Sequence, residues 1–116
     1  LGMELKYSSY RPLNNWGHMR TDTQLLLIKR KVLPILKRHA VKRASIFGSF
    51  ARGESKKRSD VDFLIEYKTK NKSLFDLVDL KFELEETLGR KVDIVTYNSI
   101  YSGLRKQILA EQVVIL

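Results

Sequence analysis

The chain contains no cysteine, and that one absence excludes disulfides, thiolate-held zinc and thiol nucleophiles. Histidine is almost as scarce: His18 and His39 are too few and too far apart to suggest a histidine metal site. No apolar run approaches the roughly 18 residues needed to cross a bilayer, and no signal peptide opens the sequence, so cytoplasmic residence is the default expectation. At 116 residues there is room for one domain with a modest core. A catalytic domain plus a separate substrate domain would not fit.

Positive charge is what the sequence has in excess. Lysine and arginine number 22 against 13 acidic residues, a net charge of +9. Such a balance favours phosphate-bearing partners or an acidic protein surface without choosing between them. The basic residues come in short blocks: Lys37-Arg38, Lys42-Arg43, Lys56-Lys57-Arg58, then Lys68, Lys70 and Lys72. Blocks this short are ordinary on solvated faces. No aromatic residues are interleaved with them as a base-stacking platform requires, which argues against direct nucleic-acid binding.

Residues 1–18 show no sustained periodicity. The "GHM" junction that ends them has the look of a cloning scar, which makes 1–18 a flexible vector-derived segment and Met19 the native start. A genuine flexible or partner-binding extension is the other reading. Residues 19–116 form the domain. Thr21-x-x-Gln24 has the capping-box pattern, and Leu25, Ile28, Val32, Ile35 and Leu36 share one helical face. Pro34 should kink or shorten this helix near its end. Val41–Phe47 reads as a buried strand ending at Gly48, Ser49–Arg52 as one helical turn, and Gly53–Ser59 as a basic loop. Asp60–Tyr67 is a second strand. Leu74–Leu88 is an amphipathic helix with Leu77, Leu80, Leu84 and Leu88 on one stripe, closed by Gly89. Val92–Thr96 is a third strand, Ser99 should cap a helix from Ile100 to about Ala110, and Val113–Leu116 is a short last strand. Helices interleaved with strands give a two-layer α/β domain.

The chemistry lies in two acids spaced by one residue. Side chains alternate along a strand, so Asp60 and Asp62 share one face while Val61, Phe63 and Ile65 take the other. Carboxylates roughly 6.5 Å apart along a strand repel, and one tends to stay protonated unless a cation intervenes. A pair of magnesium ions about 3.5–4 Å apart suits such oxygens. Asp93, between the apolar Val92 and Ile94, would join them if its strand neighbours Asp60–Tyr67. Gly48-Ser49 supplies the complement: glycine lets backbone amides approach a phosphate, the following helical turn adds a favourable partial charge, and Ser49 offers a hydroxyl. Arg52 follows one turn later and could meet a triphosphate.

The stretch "IFGSFARGESKKRSDVDFLI" resembles the signature of the DNA polymerase beta-like nucleotidyltransferase superfamily. Its G-S-x10-D-x-D spacing is similar to that of the minimal nucleotidyltransferases (MNT), the antitoxin partners of HEPN ribonucleases, and "KVDIVT" supplies that group's later acid. The resemblance spans residues 19–116. It implies an α+β palm: a mixed sheet with helices packed on one face. It implies that Gly48, Ser49 and Arg52 bind the nucleotide phosphates, and that Asp60, Asp62 and Asp93 are catalytic and hold two Mg2+ ions, or Mn2+. It also implies AMP transfer from ATP to a tyrosine of a HEPN toxin, with a homodimer or hetero-oligomer as the assembly. The alternatives are a non-catalytic toxin-binding antitoxin, or transfer to RNA or a small-molecule hydroxyl.

Overall fold

Two apolar helical stripes face one sheet, and their spacing decides the layers. A computed structural model of the chain describes residues 21–53 and 60–116. Helix α1 (Thr21–Arg38) is followed by β1 (Val41–Phe47), β2 (Val61–Tyr67), α2 (Leu74–Leu88), β3 (Val92–Thr96), α3 (Ser102–Glu111) and β4 (Val113–Val114). The strands form one mixed sheet in the order β3-β2-β1-β4, with β1 antiparallel to β2 and β4, and β2 parallel to β3. The parallel pair needs a crossover, and α2 supplies it. Among the described residues no helix is long and apolar enough to cross a membrane.

The main core lies between the sheet and the two longer helices. Ile28, Val32 and Leu36 of α1 and Leu80, Leu84 and Leu88 of α2 are fully buried against Ile46, Val61, Phe63 and Ile65. These are the residues that helical and strand periodicity place inward. The opposite sheet face is partly covered too. There Leu64, Tyr97 and Ile100 form a smaller cluster with Phe47, Val95, Ile108 and Leu109. The Tyr97 hydroxyl, beside the Ser45 hydroxyl at 2.8 Å, donates to Gln112 Oε1 at 2.9 Å, so this buried polar tip is satisfied.

Two local expectations are corrected. Of the two effects expected of Pro34, shortening is absent, since α1 runs four residues further to Arg38. The ring faces solvent while Ile35 and Leu36 are buried, and their packing outweighs one missing hydrogen bond. Ser99 does not cap a helix beginning at Ile100. Instead Thr96 and Ser99 pair through their hydroxyls at 2.7 Å around a 3-10 turn at Tyr97–Ser99, Ile100 is buried in extended backbone, and α3 opens after Tyr101. Burying Ile100 takes precedence over the cap. Residues 1–18, the capping-box pairing of Thr21 and the loop cations Lys56, Lys57 and Arg58 lie outside the described residues.

Candidate active site

β1 delivers the chain to Gly48, whose φ of +77° lies in the left-handed region that glycine tolerates. A second constraint acts on the same residue: a Cβ there would lie 2.3 Å from Asp62 Oδ2 and 3.2 Å from its Cγ. No side chain fits between this backbone and that carboxylate. Beyond Gly48 the chain makes the single turn expected from Ser49 to Arg52, closed by the Arg52 N–H donating to the Gly48 carbonyl at 3.1 Å. Phe50, fully buried, anchors the turn in the main core.

Asp62 stands between two register partners, Phe47 on antiparallel β1 and Asp93 on parallel β3. The two carboxylates therefore rise from neighbouring strands roughly 4.8 Å apart, on the same face. Two hydrogen bonds hold that register. The Val61 N–H donates to the Lys91 carbonyl at 3.0 Å, and the Val92 N–H donates to Glu85 Oε2 at 3.0 Å, tying the start of β3 to α2. Burial, then the charges of Asp93 and Asp60, push Asp62 up to about 6, with Arg52 partly opposing them. Both of the other sequence-identified acids thus act on Asp62. Asp60 is exposed, one residue ahead of β2.

Two participants escaped the sequence reading. Glu111 of α3 places Oε2 3.7 Å from Arg52 Nη1. Arg90 lies with its guanidinium 5.2 Å from the Phe50 ring centroid, and burial lowers its pKa while the nearby Asp60 charge raises it. A signal for Arg90 existed, since it stands three residues before Asp93. Nothing near Glu111 in sequence points to Arg52. Asp93, exposed, lines a cleft of about 220 Å³ together with Leu74, Leu77, Val78, Lys81 and Ile94.

Among the described residues no three acidic or histidine side chains already close around one ion. The donor set nevertheless suits a divalent cation: hard oxygen ligands, in register on adjacent strands, with their mutual repulsion expressed in Asp62.

The polymerase beta nucleotidyltransferase family model matches residues 30–116. The chain belongs to that family. It is 60% identical over 89 residues to a candidate protein adenylyltransferase of Methanocaldococcus jannaschii, covering 77% of this chain and 95% of that protein. A solved candidate minimal nucleotidyltransferase is similar at 38% identity and a TM-score of 0.69, covering 84% of this chain and 97% of that one. The fold also recurs, at 18% identity and a TM-score of 0.61, in a complex of tri-AMPylated Shewanella oneidensis HEPN toxin with MNT antitoxin, covering 78% of this nucleotidyltransferase and 71% of that chain.

Proposed function

We propose that this nucleotidyltransferase moves AMP from ATP to a tyrosine hydroxyl of a HEPN-type ribonuclease partner. The observation that carries the reading is the meeting of Gly48, Asp62 and Asp93, a phosphate-sized turn opposed by paired carboxylates. Gly48 and Ser49 would take the phosphates through backbone amides and the serine hydroxyl, with Arg52 beside them as a cation for the triphosphate. Asp60, Asp62 and Asp93 would hold Mg2+. Bound there, divalent cations neutralise the phosphate oxygens and make the acceptor hydroxyl easier to deprotonate.

The tyrosine oxygen forms a bond to the α-phosphorus as the bond to the bridging oxygen breaks, and pyrophosphate departs. Asp93, exposed at its cleft, would help draw off the proton of the acceptor hydroxyl. An acceptor of protein size fits the surroundings of that cleft. Leu74, Phe75 and Phe82 of α2 are 72%, 82% and 64% exposed, with Val78 between them. Leu74, Val78 and Phe82 at spacings of four, with Phe75 three before Val78, form an apolar stripe opposite the buried Leu80–Leu84–Leu88 row that runs into the Asp93 cleft. Leu74 and Val78 of the stripe line the same cleft as Asp93, and Asp93 is the register partner of Asp62.

Incubation with a HEPN protein, ATP and Mg2+ tests this by mass spectrometry. AMP on a partner tyrosine, lost with Asp62→Asn, is the expected result. A partner that is inhibited yet unmodified makes the chain a binding antitoxin. Label on RNA or a small molecule replaces the acceptor and keeps the chemistry.

A further inference from the structure

The reaction leaves most of the chain's positive charge unused. Part of it gathers at the end of the sheet opposite the acids, about 20 Å along β2 from Asp62 at the usual rise of a strand. There a cavity of about 480 Å³ is lined by Lys42 from β1 and by Lys68, Lys70 and Lys72 from the segment between β2 and α2. Thr96 and Asn98 on its far wall add polar side chains. The single carboxylate in the lining, Glu66, is already engaged by Arg43 Nε at 2.6 Å and lies 4.0 Å from Lys42. Its charge leaves the four ammonium groups in clear excess.

The rim is held in place. The Lys68 N–H donates to the Ala40 carbonyl at 2.9 Å, and the Lys72 ammonium sits 5.7 Å from the Tyr67 ring centroid. The size lies within the range of pockets that take small ligands. Ammonium groups converging with hydroxyl and amide donors suit phosphate oxygens. The two tyrosines of the lining do not offer stacking platforms. Tyr97 is buried, its ring covered by the Arg43 guanidinium 4.0 Å from its centroid, and the Tyr67 ring faces Lys72. This lining favours phosphate over base.

We propose that this pocket is a second anion site, distinct from the candidate active site, that takes a ligand with consecutive phosphate groups. The ligand is a free polyphosphate or a nucleoside polyphosphate.

The test titrates tripolyphosphate into the full chain without divalent metal, followed by amide NMR, so transfer activity plays no part. Peaks of Thr69, Thr96 and Asn98 are expected to move. Lys42→Gln/Lys68→Gln/Lys70→Gln should weaken binding by about tenfold, on the order expected for losing three close charges. Lys29→Gln/Lys31→Gln/Lys37→Gln on α1 removes the same net charge and should change it by less than about twofold. ATP, run in parallel, identifies the source by whether it or tripolyphosphate binds more tightly, and tighter binding of a single-stranded hexanucleotide than of either would overturn the proposal. Equal losses in the two variants, or shifts confined to Gly48–Arg52, would overturn the proposal.

Discussion

Gly48 and Asp62 interlock: the side chain that glycine lacks would fall 2.3 Å from the Asp62 carboxylate oxygen. The turn and the acid can coexist only because one of them has nothing to place there. Gly48→Ala should therefore lose about 1–3 kcal/mol of stability, combining left-handed strain with the displaced carboxylate. In an Asp62→Ala background the clash disappears and only the strain remains. Denaturant titration of the four proteins should give a coupling above about 0.5 kcal/mol. Additive effects would mean that the two residues do not meet.

Asp62→Asn separates stability from activity. The folded protein holds the Asp62 proton to about pH 6, above the ordinary 3.8, so it binds protons more tightly than the unfolded chain. Stability contributed by this group is full below about pH 4 and is lost as pH rises through 6. Asparagine removes that loss. Thermal melts in EDTA should show the variant more stable at pH 7 by about 1–2 kcal/mol, a figure already discounted for solvent screening at a half-buried site. At pH 4 the gain should vanish, and AMP transfer should be absent throughout.

Glu85 acts on the site without touching it, by accepting the Val92 N–H that starts β3. Glu85→Ala should cost about 1–2 kcal/mol and lower kcat, because Asp93 loses its fixed position. Glu85→Gln keeps an acceptor oxygen and should restore most of both. Failure of glutamine to rescue would point to the charge of Glu85 instead.

Phe75→Ser/Phe82→Ser tests the apolar stripe. Both rings are exposed, so melting should shift little, within about 0.5 kcal/mol. The KM for the HEPN partner should rise by about tenfold while ATP binding and kcat stay close to those of the parent. Unchanged partner kinetics would place the acceptor on another face.

Much of this was legible in the sequence because the informative features are local. The bounds of α2 and β3 follow from Leu80-Leu84-Leu88 and from Val92-x-Ile94 around Asp93, and Gly89 closes the helix with its N–H on the Glu85 carbonyl. The Gly-Ser and Asp-x-Asp pairs announce themselves by residue type and spacing. The parts that stayed hidden depend on contacts across the chain. Glu111 reaches Arg52 only after α3 folds back. Ser99 looked like a cap until Ile100 claimed a place in the core. Lys42 joins Lys68, Lys70 and Lys72 only through the antiparallel pairing of β1 with β2, where Val41 meets Tyr67. The capping box that opens α2 pairs Ser73 with Asp76, and Ser73 lies one residue before the helical span that periodicity marks.

The pairing of Asp62 with Asp93 rests on two parallel strands joined by a whole helix, and strands tolerate no half measures in register. Sliding β3 by one residue would bring Val92 or Ile94 opposite Asp62 and turn the acid to the other face. Activity is therefore a fine gauge of native folding: a chain that has collapsed but not aligned these strands should be inert, with no graded intermediate. Any ligand that bridges the two acids must, by linkage, also clamp the sheet against slipping.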